Sequence, residues 1–162
     1  MLKSRKIERV FLLFPPVRLY KETMKLVFPP LGVSYIASVI RDEVEVQIMD
    51  AVAEGFYNER ELDDDFLIYG SAYEDIIKRI EEFKPQIVGI TCLFSSVFPV
   101  VRELCWRIKK LDQDIITITG GTYPTFCAQE LLSREQDLDL IVLGEGEYTM
   151  REIIRAFRGE GE

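Results

Sequence analysis

Three short segments of this 162-residue chain gather side chains and glycines of the kinds that hold a ligand. Thr91-Cys92-Leu93-Phe94-Ser95-Ser96 is small and hydroxylic. If it opens a helix, its hydroxyls and free amides suit a phosphate or an amide-rich ligand; the plainer alternative is that Ser95 or Ser96 only caps that helix. Thr119-Gly120-Gly121-Thr122-Tyr123-Pro124-Thr125 places paired glycines where a strand should end. They permit positive φ and leave no side chain between backbone and ligand, so they form either a turn or the wall of a site. In Gly144-Glu145-Gly146-Glu147-Tyr148-Thr149, Glu145 sits between glycines on a specially shaped loop and is a candidate binding group. Glu147 falls where a helix should begin and favours its positive end, a structural role.

The chemistry open to these segments is narrowed by what the chain lacks. It contains no histidine, which removes imidazole-based zinc sets, Ser-His and Cys-His nucleophile pairs, and histidine as an axial ligand to haem or cobalt. Cys92, Cys105 and Cys127 have neither disulfide-framework nor CxxC spacing, so reduced, packed thiols are expected. Twenty-eight acidic against twenty basic side chains give a net charge of −8, which argues against a nucleic-acid partner. The start Met1-Leu2-Lys3-Ser4-Arg5-Lys6 is basic, but the apolar run Val10 to Phe14 is too short for a signal-peptide core and meets Pro15-Pro16. No stretch approaches ~18 unbroken apolar residues, so no membrane span is expected and a cytoplasmic location is.

The elements that must position these segments alternate between short apolar runs and helical periods, the form of a parallel sheet covered on both faces. Five strands are predicted: Val10 to Phe14, Val44 to Ile48, Gln86 to Thr91, Ile115 to Thr119 and Leu140 to Leu143. The first is continuously apolar and belongs in the middle; the second alternates and belongs at an edge. Helices are predicted around Ile36, Val39 and Ile40, from a Ser71/Glu74 capping box to Phe83 before Pro85, from Val97 to Leu111, and from Met150 to Phe157. The expected fold is α/β and flavodoxin-like (Rossmann-like), with strand order 2-1-3-4-5 and its ligand crevice at the carboxyl ends of strands one and three. Two excursions, Val17 to Phe28 and Ala51 to Gly70 with its Asp63-Asp64-Asp65 run, are longer than such connections need. Phe14-Pro15-Pro16-Val17 after strand one offers no glycine-rich or hydroxylic phosphate loop and no acidic cluster, which weakens dinucleotide, flavin and phosphorelay-receiver readings.

Taken together, the loops resemble a family. Thr91-x-Leu93, 26 residues before Gly120-Gly121, is similar to the SxL and GG elements of cobalamin-binding domains, with Thr in place of Ser. Together with Pro29-Pro30-Leu31-Gly32, Asp50 ending strand two, Pro85-Gln86-Ile87-Val88-Gly89-Ile90 and Gly144-Glu145-Gly146-Glu147, it resembles the amino-terminal B12-binding domain of B12-dependent radical SAM enzymes over nearly the whole chain. Methionine-synthase-like and mutase-like domains carry DxHxxG after strand one, where this chain has Phe14-Pro15-Pro16-Val17-Arg18; the radical SAM branch generally lacks that motif. That branch often has a histidine two positions after GG, and here the position is Tyr123.

The resemblance implies one domain over residues 1–162 that binds cobalamin without a protein imidazole, base-off and His-off, and presents it for methyl transfer or related radical chemistry. The implied contacts are Pro15, Pro16, Leu31, Gly32, Asp50, Thr91, Cys92, Leu93, Phe94, Ser95, Gly120, Gly121, Thr122, Tyr123, Pro124, Gly144, Glu145 and Gly146. No catalytic residue and no protein ligand to a metal is implied. The cysteines cannot form CxxxCxxC, so the iron-sulfur cluster and SAM are expected on a radical SAM domain, downstream in a longer protein or on a separate subunit. With its run Gly159-Glu160-Gly161-Glu162 the chain reads as an excised domain or a split-off subunit. Two alternatives stay open: a scaffold domain that holds no corrinoid, and a flavin- or nucleotide-binding domain using the same crevice. Branched residues at Gly120 or Gly121 are expected to block the nucleotide tail without unfolding the domain.

Overall fold

A computed structural model describes residues 5–160. Met1 to Ser4 of the basic start and Gly161-Glu162 of the final run lie outside the described residues. The central sheet is parallel, with β1 (Arg9–Phe14), β3 (Glu45–Asp50), β6 (Ile87–Thr91), β7 (Ile116–Gly120) and β8 (Leu140–Val142) in the order β3-β1-β6-β7-β8. Counted along the chain this is the expected 2-1-3-4-5, with the alternating strand at one edge. β1 is apolar throughout because both faces are covered. Val10 and Leu12 meet α1 (Leu31–Ile40) and α6 (Glu147–Arg158), while Phe11 and Leu13 join the core made with α3 (Tyr73–Phe83), α4 (Phe98–Leu111) and α5 (Thr122–Arg134).

Local signals explain most helix ends. α3 stops where Lys84 turns left-handed (φ 52°) just before Pro85, and α6 stops at Gly159 (φ 76°). The predicted Ser71/Glu74 capping box does not form: Ala72 is the N-cap without a side-chain bond, and the buried Ser71 gives its amide to the Ala51 carbonyl, 2.7 Å away. Neither Ser95 nor Ser96 caps α4, because Ser95–Val97 is a 3-10 turn and α4 begins after it, with a proline in its first turn. Thr122, Tyr123 and Pro124, read as loop from the sequence, are the first turn of α5, where proline costs no hydrogen bond.

The two long excursions are partners rather than loops. β2 (Val17–Tyr20) and β4 (Glu59–Glu61) flank β5 (Phe66–Tyr69) in a small antiparallel sheet, with the short α2 (Ala51–Glu54) before it. Asp63 makes the β4–β5 turn, its Oδ1 accepting the amides of Asp65 and Phe66. Leu67 and Tyr69 pack with Val52 into a satellite core, and Ile68 on the other face joins the main one.

At the amino end of the sheet a buried lysine closes the seam between β7 and β8. Lys109 Nζ donates to the Ile115 carbonyl and to Asp139 Oδ2, each at 2.6 Å, and the same Oδ2 accepts the Thr117 amide at 2.8 Å. The charge is buried but fully partnered, the condition under which burial is tolerated.

Candidate functional site

The backbone at the carboxyl edge is shaped by glycines. Gly121 has φ +117° and ψ −175°, a region essentially reserved for glycine. A Cβ there would stand 2.6 Å from the Cys92 carbonyl oxygen. Just before it, the Cys92 amide donates to the Gly120 carbonyl at 2.8 Å, so the β7 loop lies flush against the end of β6. Gly120 is less constrained, since a Cβ would only reach ordinary contact with Val142, at 3.4 Å. Thr125 Oγ1 donates to the Gly121 carbonyl at 2.8 Å and accepts the Gly144 amide at 3.2 Å, joining the β7 and β8 loops.

Below these loops a cleft of about 160 Å³ runs between the sheet and helices α1 and α6. Cavities of roughly 150 Å³ with apolar walls take a single aromatic ring, so this one suits a flat heterocycle rather than a whole macrocycle. Leu12, Gly89 and Ile118 form its floor, Val33, Ile36 and Met150 its helical wall, and the glycine loops its rim. Gly89 keeps the floor low: a Cβ would come within 2.9 Å of Leu12 Cδ2 and 3.4 Å of Met150 Cε. Gly146 lets the start of α6 approach α1, with a Cβ only 3.0 Å from Ile36 Cδ1.

Of the residues singled out from sequence, Gly32, Thr91, Leu93, Gly120, Gly121, Gly144, Glu145 and Gly146 meet in this cleft. Leu31 and Phe94, both exposed, adjoin lining residues in sequence, and Ser95 is exposed in the 3-10 turn. The others lie outside its lining. Cys92 is wholly buried on the α3/α4/α5 side, and burial pushes its thiol up to about 12, so it stays protonated in ordinary buffers. Tyr123 packs on Phe98 in the same core with ring centroids 5.6 Å apart, Pro124 is buried, and Thr122 is exposed on α5. Pro15 and Pro16 are buried where β1 passes into β2, and Asp50 caps α2 by accepting the amides of Val52 and Ala53.

Sequence reasoning missed Gly89 as a floor residue and Thr125 as the tie between the loops. The signal for Gly89 was available: a lone glycine inside an otherwise branched strand marks a close approach. The cleft is apolar below, with peptide groups, the Thr91 side chain and Glu145 and Glu147 in the lining of its rim, a mix of apolar surface and a few polar groups that suits a bound small molecule.

The comparisons agree with this geometry. The sequence model for the B12 binding domain matches residues 17–154. Cytidylyl-2-hydroxyethylphosphonate methyltransferase of Streptomyces wedmorensis is 35% identical over 150 residues, covering 91% of this chain and 28% of that protein. An uncharacterised methyltransferase of Pyrococcus horikoshii is 30% identical over 152 residues, covering 93% of this chain and 30% of its own length. The chain therefore spans less than a third of these curated relatives. Among solved structures, a cobalamin-binding protein from Desulfitobacterium hafniense superposes with a TM-score of 0.60 at 14% identity, over 94% of this chain and 60% of that one, a likeness of fold.

Proposed function

The chain belongs to the B12-binding domain family, and we propose that its cleft takes the nucleotide tail of cobalamin while the corrin lies across the carboxyl edge of the sheet. The carrying observation is the ring-sized, apolar slot between the sheet and two helices, in whose floor Gly89 makes room for the ends of Leu12 and Met150. Thr91 and the Gly120-Gly121 pair form the side of the slot facing the tail, and Gly144 to Gly146 form its lip. Exposed Leu31 at the start of α1, with Leu93, Phe94 and Leu143 on the edge loops, would supply apolar surface for the macrocycle. The tail is long and mostly neutral, so a chain of net charge −8 need not repel it.

When bound, cobalamin supplies transfer of an alkyl group held by its cobalt. This chain's residues would bind and orient the cofactor and exclude water from the tail. None of them is an imidazole, so the binding mode we propose is base-off and His-off. We further propose that the domain serves a methyltransferase or related reaction carried out by a radical SAM domain, on the same protein or on a separate subunit, in the cytoplasm. The methyltransferase names of the two relatives support the reaction class. Free cysteines support a reducing compartment, and no helix among the described residues is long and apolar enough to cross a membrane.

Titration with hydroxocobalamin tests the reading. Saturable binding with a base-off visible spectrum, and no protein-nitrogen coupling in the magnetic resonance spectrum of the reduced cobalt, is the expected result. A base-on spectrum would overturn the mode. Absence of binding at high micromolar cofactor would overturn the function in favour of a corrinoid-free scaffold.

A further inference from the structure

Among the described residues, the cleft offers free polar side chains only at its mouth. Leu12, Val33, Ile118, Val142 and Met150 line it in depth, and all five are buried. The polar residues of its lining are Thr91, Thr119, Glu145 and Glu147. Thr119 is buried, but it follows Ile118 along β7, so its side chain leaves the opposite face of the sheet, where Oγ1 donates to the Ile90 carbonyl at 2.8 Å. Thr91 is half-buried at the carboxyl end of β6, Glu145 is exposed, and half-buried Glu147 opens α6. The peptide groups of the floor are taken up by the sheet, since Gly89 is paired with Leu12 of β1 on one side and with Ile118 of β7 on the other.

This distribution decides which base can enter. A base joined to its ribose at the mouth goes in with its remote edge first, and that edge loses its water. In 5,6-dimethylbenzimidazole the remote edge is two methyl groups, which gain from apolar walls. In a purine it carries ring nitrogens, and in a hydroxylated benzimidazole a hydroxyl. Such groups would lie buried against Leu12, Ile118 and Met150 without a partner, where an unmade hydrogen bond is costly. Size does not make the choice, because a purine has two fused rings of similar extent.

We propose that the floor formed by Leu12, Ile118 and Met150 selects the tail base: the domain takes corrinoids that end in an apolar, dimethylbenzimidazole-type base and discriminates against purine and hydroxybenzimidazole tails. This selectivity rests on the tail entering the cleft, as proposed for cobalamin, and narrows that cofactor class by the chemistry of its base.

Equilibrium dialysis of the full chain against four corrinoids, read by their own absorbance, tests it. The four are hydroxocobalamin, the benzimidazolyl analogue without methyl groups, the 5-hydroxybenzimidazolyl analogue, and cobinamide, which has no tail base. The three benzimidazoles hold cobalt through the same ring nitrogen, so differences among them report the remote edge. Hydroxocobalamin should bind most tightly, the unmethylated analogue more weakly, and the hydroxylated one more weakly still, about tenfold or more below hydroxocobalamin. Met150→Gln sets an amide into the floor at little change of volume and should narrow the gap between the hydroxylated and unmethylated analogues. Val33→Thr, an isosteric change, serves if that variant does not fold. A hydroxylated analogue bound as tightly as the unmethylated one, or a gap unchanged in the folded variant, overturns the selectivity; with cobinamide still the weakest, tail binding itself stands. Cobinamide bound as tightly as hydroxocobalamin, or no corrinoid bound at all, overturns the placement of the tail and the selectivity with it.

Discussion

Gly121 stands so close to Cys92 that a side chain on the first would meet the backbone of the second: the Cβ would lie 2.6 Å from the carbonyl oxygen. The two glycines of the pair are therefore not equivalent. Gly121 is needed for the loop itself, whereas Gly120 only borders the cleft.

Gly121→Ala should destabilise the domain by about 2–4 kcal/mol, combining the cost of a glycine-only backbone region with a contact that neither backbone can relieve cheaply. Gly120→Ala should change stability by less than about 1 kcal/mol. Gly120→Val should keep the fold and weaken hydroxocobalamin binding. Urea unfolding midpoints beside cofactor titrations separate the two effects, and equal stability losses at both positions would contradict the geometry.

Gly89→Ala puts a methyl group onto the cleft floor, against the flexible ends of Leu12 and Met150. The expected stability cost is modest, about 1 kcal/mol, because those ends can shift. Cofactor affinity should fall about tenfold or more, since the displaced ends of Leu12 and Met150 line the cleft and take up its space. A variant that binds hydroxocobalamin as tightly as the parent would exclude the floor from the site.

Lys109→Met removes the cation that Asp139 and the Ile115 carbonyl share. Breaking a buried pair typically costs about 3–5 kcal/mol, and about 2–3 kcal/mol is expected here because the Asp139 side chain is 38% exposed. Cofactor affinity measured well below the unfolding midpoint should not change, because the pair lies at the far end of the sheet.

Burial holds the Cys92 and Cys105 thiols at about 12, above their usual 9.0. Between pH 9 and 12 the unfolded chain loses protons that the folded chain keeps, so stability should fall as pH rises through that window and be insensitive to these thiols below it. Cys105→Val should make the alkaline decline shallower. At pH 8 a thiol reagent should modify the half-buried Cys127 first, with Cys92 and Cys105 reacting only on unfolding.

The main sheet was legible because its strands announce burial on both faces: Val10 to Phe14 and Gln86 to Thr91 can hardly be anything else. The small sheet was not. β4 is Glu-Arg-Glu with no apolar period, and β2 finds its partner β5 roughly fifty residues later, a pairing no local window contains. α5 was hidden because only Pro124 and Leu131 along it are buried, which leaves almost no stripe to read. In the cleft, Gly120-Gly121 stood out as a pair at a strand end, while Gly89 and Thr125 act through neighbours that only the fold supplies. Asp50 and Cys92 show the converse. Each occupies a motif position, yet the structure gives one to a helix cap and the other to the core.

The lock formed by Lys109, Asp139 and Thr117 gives β8 an asymmetric attachment. At the amino end of the seam a charge, a backbone amide and a threonine hydroxyl converge on one carboxylate; at the carboxyl end a single threonine hydroxyl bridges two glycine loops. The seam behaves as a clothes-peg, sprung shut at one end and lightly latched at the other. A ligand entering under Gly144 meets the Thr125 latch before the β7–β8 ladder, whose last pair is Gly120 with Val142. The lip can thus yield while the core behind it keeps its register.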